Sequence, residues 1–260
     1  MLVTLNDIIG LMEEIAPLNL AEDWDNVGLM LGRRDKQVKR IMLALDMTRA
    51  TVDQAIAYRA DLLITHHPAI FKKLSSITDK VWQQDLLLKL AEQGIAVYSA
   101  HTNLDCVAGG VNDALARKLH LQDVDVFDAA SGLGRVGYVD ECDLQAFAEF
   151  VKKQLNADYL VLGDAGKKVH KVAICGGAGS DLIPLAIRLG IDTLVTGDIK
   201  YHSAQEAVFS GMNIIDAGHQ PTELPILNEL ADKLSLRFAE RNWSVFLTVA
   251  KEELLLHGLK

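Results

Sequence analysis

RADLLITHH, residues 59–67, reads as an apolar strand that runs directly into two histidines, and LGIDTLVTGD, residues 189–198, echoes it. A shift of 131 positions sets Asp61 on Asp192, Leu63 on Leu194 and Thr65 on Thr196. The same shift sets Ile41 on Val172, at the starts of the apolar stretches RIMLALD (Arg40 to Asp46) and KVAIC (Lys171 to Cys175). A shift of 118 sets HTNLD (His101 to Asp105) on HQPTE (His219 to Glu223), two His-x-x-x-carboxylate motifs that each follow a strand. The first half carries 13 more residues between these landmarks, which accounts for the two shifts. Matches in the same order point to an internal duplication.

Outward from these stretches, strands and helices alternate. Leu5, Ile8, Ile9, Met12 and Ile15 recur at helical spacing, and Pro17 closes that helix. A helix opened by Thr48 or Asp53 separates RIMLALD from Leu62–Thr65. Another, about Val81 to Gln93, precedes Gly94 and the strand IAVYSA. The second half reads as a helix over Leu144–Leu155, then strands near Tyr159–Leu162, at KVAIC, at DTLVT (Asp192 to Thr196) and at NIID (Asn213 to Asp216), with helices between the last three. A helix near Leu224–Leu234 and the strand SVFLTV complete it. Short strand–helix–strand connections imply parallel pairing, and strands apolar throughout imply sheets covered on both faces. The expected fold is α/β: two related three-layer domains with mostly parallel sheets. The small, glycine-rich AASGLGRVG (Ala129 to Gly137) suggests a hinge or a domain entry. The expected first domain is residues 1–128, joined by about 235–260, and the second is residues 129–234.

Composition narrows the function. Half of the 260 residues are apolar and 23% are charged, which is globular composition. A net charge of -9 argues against a general nucleic-acid surface or an anionic-membrane binder. No stretch of apolar residues is long enough to span a bilayer. Cys106, Cys142 and Cys175 are scattered without CxxC spacing, which fits a reducing cytosol and neither a disulfide framework nor a cysteine zinc site. MLVTLNDII lacks the basic flank of a secretory leader, so a cytoplasmic location is expected.

The chemistry gathers at strand ends, where open parallel sheets place ligand and catalytic groups. His66 and His67 follow LLIT directly; alone, adjacent histidines on a loop say little. His101 with Asp105 and His219 with Glu223 stand at the four-residue spacing that shares one face of a helical turn. Imidazole–carboxylate clusters suit Zn, Mn, Fe, Co or Ni rather than Ca or Mg. Two carboxylates and three histidines suffice for two ions about 3.5–4 Å apart with a bridging carboxylate. In the second half Gly197 and Asp198 replace the histidine pair, so one site built from both halves is simpler than two. Asp198, Lys200 and His202 are candidates for substrate contact or proton transfer. Asp46 stands on the same rim, either supporting the site or capping a helix. Asp25, Asn26 and Gly28 read as a turn. GGAGS (Gly176 to Ser180) follows a strand as a phosphate loop would, but it lacks the lysine of a P-loop.

At this level of detail the chain resembles the GTP cyclohydrolase 1 type 2 homologues, also called NGG-interacting-factor-three-like proteins. The residues that carry the resemblance are WDNVGLMLG (Trp24 to Gly32), LLITHHPAIF (Leu62 to Phe71), YSAHTNLD (Tyr98 to Asp105), TGDIKYH (Thr196 to His202) and DAGHQPTE (Asp216 to Glu223). The likeness runs from near residue 4 to near residue 250. It implies two α/β domains around a dinuclear metal site at strand C-terminal ends, assembled as a ring-shaped homohexamer. It also implies His66, His67, Asp105, His219 and Glu223 as ligands, with Glu223 bridging. His101 is then a sixth ligand or a partner that orients one, and Asp25, Asn26 and Gly28 gain a role lining the site.

The function expected is a hydrolase dependent on two divalent transition-metal ions, in which a bridging hydroxide attacks a small-molecule substrate. His101, Asp198 and His202 would move protons. The resemblance implies opening of a purine ring, as in GTP; a nucleotide or phosphoester hydrolase fits the same ligands. The alternative is a metal-binding regulatory or scaffold ring without turnover.

Overall fold

The structure is a computed structural model that describes residues 2–253. The chain divides into two compact units, one running to Val107 and resumed at Leu227–Glu253, the other Ala108–Ile226. Residues 254–260 of the C-terminal segment expected in the first domain lie outside the described residues.

The first unit opens with α1 (Leu5–Ile15), whose N-terminus Thr4 and Asp7 close reciprocally: the Thr4 hydroxyl accepts from the Asp7 N–H, and the Asp7 carboxylate accepts from the Thr4 N–H. There follow β1 (Gly28–Leu31), β2 (Arg40–Ala44), α2 (Arg49–Tyr58), β3 (Leu62–Thr65), α3 (Trp82–Glu92), β4 (Ala96–Ser99) and the single turn α4 (Thr102–Cys106). Thr48, not Asp46, caps α2, its hydroxyl accepting from Thr51 N–H at 3.1 Å. The Asp46 carboxylate is thereby left for another role. Met42, Leu63 and Val97 bury one face of the sheet against Val52 and Ala55 of α2 and Leu86, Leu87 and Leu90 of α3. The alternate residues Ile41, Leu43, Leu62 and Ile64 are buried as well.

The second unit runs through α5 (Val111–Lys118), β5 (Gln122–Val126), β6 (Arg135–Cys142), α6 (Leu144–Leu155), β7 (Val161–Gly163), β8 (Val169–Ala178), α7 (Ile183–Arg188), β9 (Thr193–Gly197), α8 (Tyr201–Phe209), β10 (Asn213–Asp216) and the short α9 (His219–Glu223). Alternation along its strands sorts the core into two layers. Val172, Ile174, Val195 and Ile215 pack with α5 and α6, while Ala173, Leu194 and Ile214 pack with Ile183, Ala186 and Ala207 of α7 and α8. Helix α10 (Pro225–Glu240) then leads the chain back to the first unit, where β11 (Phe246–Val249) pairs parallel with β2.

The sheet orders are β1-β4-β3-β2-β11 and β5-β6-β8-β9-β10-β7. Read from its β7 edge, the second repeats the first: an antiparallel edge strand, then three parallel strands in reverse chain order. The register repeats too, Ile41 opposite Leu62 in one sheet and Val172 opposite Thr193 in the other. The first sheet is mostly parallel, as expected. The second is mixed, because β5 and β6 form an antiparallel hairpin and β6 also pairs antiparallel with β8. Its cause lies in the glycine-rich stretch after Phe127, where the Asp128 carboxylate accepts from Ala130 N–H and Ser131 Oγ, and Gly132 and Gly134 adopt left-handed φ. A short connection of this kind joins antiparallel strands, whereas parallel ones need a crossover. Ala129 to Gly137 thus turns a hairpin inside the second unit. No helix of the described residues is long and apolar enough to cross a membrane.

Candidate metal centre

In the first unit the backbone continues its pairing past β3: His66 N–H donates to Ala44 O at 3.0 Å and His67 N–H to Leu45 O at 2.9 Å. Thr65 Oγ1 and Ser99 Oγ, 2.9 Å apart, tie the ends of β3 and β4 together. The histidine pair is therefore held in register although the strand has ended. The two rings lie 5.0 Å apart between centroids, and His101 stands edge-on to both, at 5.2 and 5.5 Å. One ligand atom from each of the three lies within 4.8 Å of the others. Two imidazole nitrogens on one tetrahedral ion, at about 2.0–2.1 Å each, stand about 3.3 Å apart, inside that limit. Asp105, one helical turn from His101, reaches the group through its Oδ1, 3.6 Å from His66 Nε2.

Each ring has its other nitrogen engaged. His66 Nδ1 donates to the Ala100 carbonyl at 2.9 Å, His67 Nδ1 to Asp46 at 2.8 Å and His101 Nδ1 to Asp25 at 2.9 Å. A carbonyl or carboxylate only accepts, so each Nδ1 carries a proton. Metal-ligating histidines are oriented by the same device. Asp25 also accepts from Thr102 N–H and Oγ1. Burial alone would raise its carboxyl, but the His101 and Thr102 hydrogen bonds outweigh that and hold it far below the usual carboxylate range. At the end of β11 the opposite happens: burial pushes Glu252, which accepts from Leu45 N–H at 2.6 Å, up to about 7.

The second unit presents the counterpart motif on α9. His219 Nε2 and Glu223 Oε1 are 3.2 Å apart across one turn, and His219 Nδ1 donates to Asp198 Oδ2 at 2.7 Å. Glu223 is buried and His219 half-buried. Asp198 holds its place with a left-handed φ of 54°, a conformation that Asp tolerates better than most residues. Gly177 of GGAGS and Gly197 at the end of β9 face this motif. A Cβ on Gly177, at φ +68°, would collide with Glu223 Oε1, and one on Gly197 would stand 2.5 Å from His219 N. Their role here is close approach of a carboxylate and an imidazole.

The structure thus gathers His66, His67, His101 and Asp105 in one unit, and His219, Glu223 and Asp198 in the other. His202 stands exposed on the first turn of α8, its ring edge-on to Tyr201 at 5.4 Å. Asp198 holds an imidazole. Asp25, read from the sequence as part of a turn, and Asp46, read as a rim group or a cap, do the same for His101 and His67. Their clearest signal was a carboxylate lying just outside a strand. Trp24 and Phe71, whose rings are 5.9 Å apart beside His101, had no separate signal.

Known proteins share this sequence and fold. A GTP cyclohydrolase 1 type 2 homolog of Clostridium perfringens is 39% identical over 240 residues, covering 90% of this chain and 92% of the relative. One of Lactococcus lactis is 38% identical over 234 residues, with 88% and 91% covered. The crystal structure of a Bacillus cereus protein related to NIF3 superposes with a TM-score of 0.92 at 26% identity, over 97% of this chain and 98% of that one. The family model described as Duf34/NIF3 (NGG1p interacting factor 3) matches residues 3–253, and the chain belongs to that family.

Proposed function

We propose that this chain is a metal-dependent hydrolase. The observation that carries the proposal is the shared orientation of four histidines: His66, His67, His101 and His219 each donate through Nδ1 to an oxygen acceptor, as metal-ligating histidines do. His66, His67, Asp105, His219 and Glu223 would hold two divalent transition-metal ions, with Glu223 shared and His101 as a further ligand. Neither half of the sequence carries the full set, which supports pooling both motifs in one centre. Ions bound there would act as Lewis acids and make a bound water acidic near neutral pH.

Around such a centre the chain's own residues have separate tasks. Asp25, Asp46, Asp198 and the Ala100 carbonyl orient the imidazoles. His202, exposed on α8, is the candidate to carry protons to and from solvent. The substrate is a small molecule. The name of the relatives, GTP cyclohydrolase 1 type 2 homolog, makes a purine ring the first candidate, with hydrolysis of an amidine-like C–N bond and release of formate. A nucleotide phosphoester is the second. The family resemblance also proposes a homohexamer, which light scattering on the purified protein checks.

Elemental analysis of untagged protein tests the centre. About two transition-metal ions per chain are expected, falling sharply in Glu223→Ala, with loss of GTP hydrolysis in a variant that keeps its circular dichroism. No bound metal after incubation with Zn, Mn, Fe, Co and Ni would overturn the proposal. Unfolding on chelation with EDTA would instead favour a structural metal in a scaffold protein.

A further inference from the structure

Trp24 and Phe71 are large apolar side chains left 60% and 48% exposed. A single exposed aromatic ring is ordinary. These two face one another, with centroids 5.9 Å apart and planes inclined by 48°. Both also stand edge-on to the His101 ring, Trp24 at 6.0 Å and 76° and Phe71 at 6.4 Å and 72°. They border the histidine cluster at His101.

The backbone beside each ring is tied down. Asp25, next to Trp24, accepts from His101 Nδ1 and from the Thr102 N–H at 3.1 Å. Asn26 Nδ2 donates to the carbonyl of Ile70, the residue before Phe71. The segment carrying Trp24 is thus pinned both to the residue that carries the third imidazole and to the segment carrying Phe71. Rings on mobile loops would need ordering before they could grip anything; these are ordered already, which lowers the entropic cost of binding.

We infer that Trp24 and Phe71 form a stacking rim for the planar heteroaromatic ring of the substrate at the edge of the histidine cluster. The inference takes that cluster as the reacting centre, as proposed above, and adds the residues that would seat a planar ring of nucleobase type there. Planar π-systems stack offset or edge-to-face at centroid separations of about 4.5–7 Å, the range in which these side chains already sit around His101. Stacking tolerates any base, so the rim selects for planarity and leaves the choice among heterocycles to polar groups. An aliphatic substrate would gain little from two rings so placed.

The test uses the full-length chain carrying Trp82→Phe and Trp243→Phe, so that Trp24 is the only fluorophore of its kind. Guanosine and adenosine are titrated against its emission, with ribose as the control. Saturable quenching by the nucleosides and none by ribose is expected. Phe71→Ala should weaken nucleoside binding about tenfold, the effect of one base stacked on an aromatic side chain, while Phe71→Tyr should restore it. Metal content should stay the same in both variants. Absence of saturable quenching, or equal affinity in Phe71→Ala, would overturn the inference. So would a Trp24 emission that shifts to the blue with protein concentration and ignores nucleosides, since a second copy of the chain would then cover the rim. Because binding is read without turnover, the titration repeated on EDTA-treated protein separates failure of the rim from failure of the hydrolase proposal.

Discussion

Asp61 and Asp192, 131 positions apart, do the same work in the two units. The Asp61 Oδ2 accepts from the backbone N–H groups of Lys39 and Arg40, at 2.7 and 3.0 Å, where β2 begins. The Asp192 Oδ2 accepts from those of His170 and Lys171, at 3.0 and 2.6 Å, in β8. The Asp61 carbonyl then receives Ala96 N–H, and that of Asp192 receives Asn213 N–H, so each aspartate joins three strands of its sheet. Even the long cations correspond: Arg40 donates to Tyr58 O and Lys171 to Leu189 O.

Replacing either aspartate should therefore cost a similar amount. Asp61→Ala and Asp192→Ala each strand two backbone donors, and each should lower stability by about 1–3 kcal/mol. Denaturant unfolding of the single variants checks the match. A marked inequality would show that the two sheets rely on this junction differently.

Gly177→Ala should disturb the metal centre more than the fold. The left-handed φ of +68° costs alanine about 1–2 kcal/mol, and the new methyl group would push on Glu223 Oε1. Gly190→Ala is the matched control, with a φ of +64° and nothing within 4 Å of its Cβ. Both variants should lose similar stability in thermal melts. Only Gly177→Ala should bind metal more weakly in a competitive chelator titration.

Asp46→Ala and Asp25→Ala remove the acceptors that fix the His67 and His101 rings. Each should weaken metal binding about 10- to 100-fold while leaving the ligands themselves in place. Asp46→Asn, which keeps an acceptor oxygen, should recover part of that loss. Equal affinity in all four proteins, measured with the same chelator, would mean that these rings need no external support.

Glu252 gives stability a pH dependence of defined sign. Burial raises its carboxyl from the ordinary 4.5 to about 7, the Asp46 charge adding to the rise and Leu45 N–H opposing it. A raised folded-state value means that the folded protein holds the proton more tightly than the unfolded chain. The contribution is complete below about 4.5 and is lost as pH climbs through about 7. Glu252→Gln keeps an acceptor for Leu45 N–H but cannot ionise. Its Tm relative to the parent, in metal-stripped protein, should stay level below pH 4.5 and rise toward pH 7. A pH-independent difference would exclude the effect.

Elements built on local, dense apolar signals were legible in the sequence. Helix α1 and helix α6 begin and end where periodicity, Pro17 and the Leu144–Leu155 pattern place them. Strands β2, β3 and β10 were plain because nearly every side chain in them is buried. Strand β5, QDVDV, was not, since it is an edge strand exposed at all five positions and alternates acids with valines. Helix α5 was missed because it is short and, besides Val111 and Leu115, buries only Asn112 and two alanines. At the site, the imidazoles and carboxylates stood out by residue type and strand-end position. The partners of His101 and His67 were harder, because those bonds span 76 and 21 residues and depend on how strands align.

Position 198 is the duplicate of position 67, and it records how the halves diverged. Where the first copy has an imidazole, the second has an aspartate that props the imidazole of His219. Replacing Asp198 by histidine would make the two positions alike but would take the prop from His219. Gly197 and Gly177 close the same route, since the second copy has cleared backbone space there for its own histidine and glutamate. The two halves have become specialists, and neither can drift back toward the other without first undoing what it now supplies.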